Sequence, residues 1–221
     1  MKSYSKRMVE FSTKEDFDAK EGDFSFSHRL FDTEVEFFIT KNRENIKSIH
    51  FSTSDSSPLR AIFYGMCLIL KNSTIQRVKE FSERELDSFL RDENHIPCME
   101  GGVPSDFISV FYSKLVAAQL NSDLKDEVDD WKAPEGANYV EKIGAISDFF
   151  AIKLNPSDQL ANANLEMQLV HLTDDEVICE FRSSINRVKQ QPNSLDLESR
   201  KVIEELVRRI IGTEKIKLVV E

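Results

Sequence analysis

Three cysteines, four histidines and an excess of carboxylates are the side chains of this 221-residue chain with the chemistry to hold a metal or act as nucleophiles. Cys98 stands out among them. The run His95-Ile-Pro-Cys98 occupies a polar loop, and with Asp32 and His28 it would supply the mixed sulfur, nitrogen and oxygen donors of a makeshift metal site. The competing reading is an exposed structural loop. Cys67 falls on an apolar stripe with Met66 and Ile69, and Cys179 shares a strand face with Val177 and Phe181, so both read as buried, inert thiols. Asp32 has the alternative role of capping a turn between strands. His50 and His171 lie mid-strand and read as surface or satisfied core positions. No Ser/His/Asp or Cys/His pairing has an enzymatic context, no Gly-rich phosphate loop occurs, and no carboxylate pair stands out, so no enzyme is expected.

The bulk composition narrows the partners. Lys and Arg number 29 against 39 Asp and Glu, a net charge of −10, and phosphate backbones are bound by clustered Lys and Arg. Neither a nucleic acid nor an anionic membrane surface is expected as a partner. The longest apolar run, Ala61 to Leu70, falls short of the roughly 20 residues that span a bilayer. No apolar core follows Met1 to Arg7, so no secretory signal is expected, and three scattered cysteines fit a reducing compartment. A cytoplasmic protein is the expectation.

The elements that would position these side chains follow from periodicity. A short amphipathic helix over residues 4–11 and a charged loop from Thr13 to Gly22 come first. Strands are expected over Phe24–Leu30, Asp32–Lys41 and Ile46–Thr53, with a polar turn at 42–45, as an antiparallel meander. Then the period changes. Leu59, Ile62, Phe63, Met66, Cys67, Ile69 and Leu70 recur at helical spacing, with Pro58 in the first turn and Asn72-Ser-Thr as a stop. Ser82 and Glu85 have capping-box spacing. A loop from Asp92 to Pro104 contains Gly101-Gly102, and a helix opening near Ser105 carries Phe107, Ile108, Phe111, Leu115 and Ala118. The aperiodic stretch Asn121 to Ala137 holds six acidic residues against two lysines, with Trp131 as an aromatic that would dock it onto a domain or anchor a partner. Beyond it, strands are expected over Phe149–Leu154, Leu165–Leu172 and Glu176–Ser183. After Asn193-Ser-Leu-Asp-Leu197 comes a helix with Val202, Ile203, Leu206, Val207, Ile210 and Ile211, stopped by Gly212, and Ile216–Val220 closes as a strand. The fold class is α+β: a three-stranded antiparallel sheet packed by helices over residues 1–122, an acidic linker over 123–137, and a second small α+β domain over 138–221.

The stretch Asn45 to Ala61, read as strand, tight polar turn and buried helix, resembles the central segment of the iron–sulfur cluster assembly scaffolds, the IscU proteins and the N-terminal domain of NifU. The resemblance extends over about the first 120 residues, from Tyr4-Ser5, Val9 and Phe11 to the helix after Ser105. In that family three cysteines and an aspartate bind a two-iron cluster, with sulfur delivered by a cysteine desulfurase. Residue by residue, the resemblance places Asp32 at the aspartate, Leu30 at the first cysteine and Ser56, flanked by Asp55 and Ser57, at the second. Ser105, or alternatively Pro104, falls at the third. Thiolates are the donors that hold iron–sulfur clusters, and serine rarely replaces them. The last third is also similar to the small C-terminal domain of NifU-like proteins, which ends helix-then-strand and uses a Cys-x-x-Cys pair absent from this sequence.

The resemblance therefore implies a non-catalytic protein that keeps a binding surface for partners in iron–sulfur cluster assembly and holds no cofactor. The alternatives are an atypical iron, metal or cluster carrier using Cys98, Asp32 and histidine ligands (His28, His95), and an interaction module unrelated to iron–sulfur work, since a fold does not fix a function.

Overall fold

A computed structural model of the chain describes residues 4–18, 20–42, 45–173, 176–183, 195–212 and 216–220. The architecture is α+β in two compact units, Met1–Leu115 and Val116–Glu221. No described helix is long and apolar enough to cross a membrane.

In the first unit, α1 (Lys6–Phe11) leads to β1 (Phe24–Leu30), β2 (Thr33–Asn42) and β3 (Asn45–Ser52), an antiparallel meander in the order β1-β2-β3. Alternation sets which face is covered: Val35, Phe37 and Ile39 are buried, and the adjacent Glu34 and Glu36 are exposed. Asn42 pairs with Asn45 at the end of the β2–β3 ladder. Residues 43–44 of the turn expected there lie outside the described residues. The helix α2 (Arg60–Leu70) is apolar almost all round, and nine of its residues are buried, which makes it the central helix of the unit. Its one buried charge is well provided for. The Arg60 guanidinium donates to the carbonyls of Ser12 and Lys14, pairs with Asp18 and stands 5.1 Å from the centre of the Phe51 ring. Those bonds fix the 12–18 stretch, whose Phe17 is buried and whose carbonyl accepts from Phe51 N.

Two short helices follow, α3 (Ile75–Glu80) and α4 (Glu83–Leu90), capped by the hydroxyls of Thr74 and Ser82. The sequence predicts no helix at α3, because six residues with a single buried side chain, Val78, carry little periodic signal. Asp92 accepts from the backbone N–H groups of Lys6 and Arg7, satisfying the exposed start of α1 from the far side of the sequence. Glu83 does the same at α5 (Phe107–Leu124), accepting from Ile108 N at 3.0 Å.

The second unit begins within α5. Its core gathers Leu120 and Leu124 with α6 (Tyr139–Phe149), β4 (Leu165–Leu172), β5 (Val177–Ser183) and α8 (Leu197–Ile211). A short helix α7 (Asp158–Ala163) precedes β4, and β6 (Ile216–Val220) pairs parallel to β5 after the α8 crossover, giving the order β4-β5-β6. One expectation changes here. The strand expected over Phe149–Leu154 is instead a π-helical extension of α6, with Phe149, Phe150 and Leu154 buried and Ala151 and Ile152 exposed. A short apolar run does not distinguish strand from helix by itself; the capping box of Asn138 and Glu141, upstream, starts the helix that carries through it. The acidic stretch at 123–137 also carries structure. Val128–Trp131 form a 3₁₀ turn with Val128 buried and Trp131 packed on the second core, and Ala133 N donates to Ile210 O at 2.9 Å. Of the expected segment 193–197, residues 193–194 lie outside the described residues.

Gly22 provides a direct check on the first unit. A Cβ placed there would lie 2.7 Å from Ile39 N and 2.8 Å from Ile39 O, both backbone atoms of the middle strand. We expect Gly22→Ala to destabilise the protein by about 1–3 kcal/mol, because the stretch before β1 must move away from the sheet. Urea denaturation measures this, and an unchanged midpoint would contradict the close approach.

Candidate functional site

The candidate site is the end of the first sheet where the β1–β2 hairpin, the 54–58 turn and the start of α5 meet. The hairpin is closed by the Leu30–Thr33 pair, leaving Phe31 and Asp32 at its tip. Thr33 Oγ1 donates to Asp55 Oδ2, tying the hairpin to the turn before α2. Ser57 N donates to Asp55 Oδ1 at 2.7 Å, and Thr53 Oγ1 donates to Glu34 O at 2.8 Å. Burial works to raise the Asp55 pKa, but the hydrogen bonds from Thr33 and Ser57 outweigh it and hold the carboxyl below its ordinary value. Asp55 is thus engaged as a structural acceptor inside this turn.

The start of α5 reaches the same sheet through His28. The imidazole sits 4.7 Å from the Phe107 ring, 5.9 Å from Phe111 and 6.5 Å from Phe37. It is 2% exposed, and neither ring nitrogen has a partner in hydrogen-bond geometry. Burial lowers its pKa to about 4, helped by the Lys114 charge and opposed by the Phe107 backbone and the Asp106 carboxylate. Lys114 Nζ in turn donates to Ser27 O at 2.8 Å. Phe107 also lies 6.4 Å from Phe63 on α2, so the starts of the two helices meet over the sheet.

These contacts locate the positions given by the resemblance. Leu30 is buried on the same strand face as His28; Ser56 is exposed in the turn beside Asp55; Ser105 is exposed in the turn before α5, where Pro104 O accepts from Phe107 N at 3.1 Å. The elements that carry Leu30, Ser56 and Ser105 are joined by the Thr33–Asp55 bond and the His28–Phe107 contact. Asp32 is exposed at the hairpin tip.

The alternative donors are not gathered. Among the described residues no group of three or more His, Cys, Asp or Glu could hold a metal ion, and His28, Asp32, His95 and Cys98 form no such set. His95 is exposed, whereas Cys98 is fully buried, so the Cys98 end of the loop is part of the core. Cys98 N donates to Asp87 Oδ1 at 2.8 Å, and its carbonyl accepts from Ser5 N at 2.8 Å. Burial, then the adjacent Asp87, push its thiol up to about 12. Burial also raises Cys67 well above its ordinary value and Cys179 to about 12. Thiols held protonated in this way are poor ligands and poor nucleophiles. Thr33 and Phe31 are the residues of this site that the sequence did not single out. Thr33 is one hydroxyl among many in the sequence, and Phe31 carries no signal until its backbone is seen: φ is 53, in the left-handed region.

No family model matches this chain, and no curated protein matches it. Among solved structures it is similar to the N-terminal part of a nitrogen-fixing NifU-like protein from Brucella abortus. The match has 15% sequence identity, covers 54% of this chain and 83% of that one, and has a TM-score of 0.32, a weak and partial likeness.

His28 gives the site a pH signature. Its folded pKa of about 4 lies below the ordinary 6.5, so the folded state binds fewer protons than the unfolded one. Stability is therefore full above pH 6.5 and falls as the pH drops towards 4, by up to about 3 kcal/mol from this group. His28→Phe keeps an aromatic ring in the cage and removes the titration. In urea melts between pH 7 and pH 4, the variant should lose less stability than the parent; parallel losses would show that His28 is not held neutral.

Proposed function

We propose that this chain is a non-catalytic, partner-binding module of iron–sulfur cluster assembly, which presents the tip end of its first sheet to a partner and holds no cluster there. The sequence resemblance over about the first 120 residues supports the partner class. The positions where that resemblance would require thiolates are Leu30, Ser56 and Ser105, and the cysteines of the chain are free and buried elsewhere.

Phe31 carries the reading. It combines two features that are unfavourable in the free chain: a left-handed backbone, costing a residue with a Cβ about 1–2 kcal/mol, and an aromatic side chain that is 48% exposed. Glycine or asparagine would hold the same turn at lower cost. In this reading the half-exposed aromatic at the hairpin tip is the anchor that a partner would bury further.

The test uses Phe31→Asn. Asparagine tolerates the left-handed backbone, so the variant should be as stable as the parent or more stable, by up to about 1 kcal/mol in urea melts. Its affinity for a cysteine desulfurase, measured by calorimetry, should fall about tenfold or more through the lost aromatic contact. Unchanged affinity would exclude the hairpin tip as the contact. Failure of the parent to bind a desulfurase, a chaperone or any iron–sulfur protein would remove the reading. An iron-dependent colour on anaerobic reconstitution that is abolished by Cys98→Ala would favour a cluster carrier instead.

A further inference from the structure

The turn at 132–137 and the end of α8 enclose a cleft of about 300 Å³ in the second unit. Its charge runs against that of the chain. Lys132, Lys142 and Arg209 line it, with Glu135 as the lining carboxylate, in a protein of net charge −10. Two of these cations share one counter-ion: Lys132 Nζ lies 3.0 Å and Arg209 Nη2 2.6 Å from Asp129 Oδ1. Lys132, then Arg209, hold the Asp129 carboxyl below its ordinary value. One carboxylate cannot use the donors of both groups, since a guanidinium alone carries five N–H bonds. Lys142 is half-buried and has no ion-pair partner among the described residues.

The remaining surroundings are compatible with an anion that has a carbon body. Carbonyls at the end of a helix repel negative charge, but two here are already engaged. Ala133 N donates to Ile210 O at 2.9 Å, and Gly212 N donates to Arg208 O at 2.8 Å. Pro134 and Ile211 contribute apolar wall. Gly136 and Gly212, at φ 78 and 67, also line it.

We propose that this cleft binds a small organic oxyanion, a phosphate or a carboxylate, with its charged end on Lys142 and Arg209 and its carbon body against Pro134 and Ile211. The test titrates the full-length protein by calorimetry with phenyl phosphate, benzoate and phenol. At least one of the two anions should bind and phenol should not. Lys142→Gln leaves both Asp129 ion pairs in place and should weaken the bound anion about tenfold, the loss of one charge-assisted contact. Arg209→Gln should weaken it comparably. The relative strength of phenyl phosphate and benzoate identifies the oxyanion. Absence of binding by both anions at about 10 mM, where even a millimolar site fills, would overturn the proposal. So would binding that Lys142→Gln and Arg209→Gln leave unchanged.

Discussion

Phe37 stands on the middle strand β2 with its ring 5.0 Å from Phe111, 5.7 Å from Phe26, 6.0 Å from Phe63 and 6.4 Å from Phe51. One fully buried side chain thereby touches both neighbouring strands, the central helix α2 and the start of α5. Burying a phenylalanine in this way is worth several kcal/mol, since truncating one to alanine costs about 3–5 kcal/mol, and edge-to-face pairs add to that. A three-stranded sheet has little stability without a covered face. Here the cover is aromatic, and its packing sets where α2 and α5 begin relative to the strand ends.

That packing brings the hairpin tip, the 54–58 turn and the α5 start to one end of the sheet. In a cluster scaffold such a junction would have to supply thiolates. In this chain it supplies a buried leucine, exposed serines, a threonine–aspartate bond and an unpartnered imidazole in an aromatic cage. The three cysteines of the chain are free and buried, and burial raises their thiol pKa values. The first unit thus has a defined junction built by hydrogen bonding and packing, with the half-exposed Phe31 in a left-handed backbone at its tip.

Much of the fold was legible because the strands alternate and the helices carry caps. The three strands of the first sheet, the α2 stripe, the Ser82 cap and the Gly212 stop all follow from local rules, and each is found within a residue or two of its expected place. The failures share a physical cause. At 149–154 an apolar run was too short to show its period, and at 75–80 a helix buried only one side chain. Trp131 was legible as a residue needing a contact, and it makes one with the second core. The site was less legible, because its decisive features are relational. Nothing in the residue types says that Thr33 reaches Asp55 across 22 positions, that Cys98 rather than His95 is buried, or that Lys132 and Arg209 share Asp129.

The proposal that this junction is scaffold-like but carries no thiolates is tested most directly by introducing them. The variant Leu30→Cys, Ser56→Cys and Ser105→Cys introduces thiols at the three positions the resemblance assigns, with Asp32 as the expected fourth ligand. The serine changes fall at exposed positions, while Leu30→Cys removes a buried side chain at a cost of about 1–3 kcal/mol. After anaerobic incubation with ferrous iron and sulfide, the account predicts an oxygen-sensitive visible absorbance band in the variant and a colourless parent. A variant that folds but binds no iron would show that the three positions do not converge on one site. A parent that acquires iron under the same conditions would show that the junction had not lost its metal chemistry.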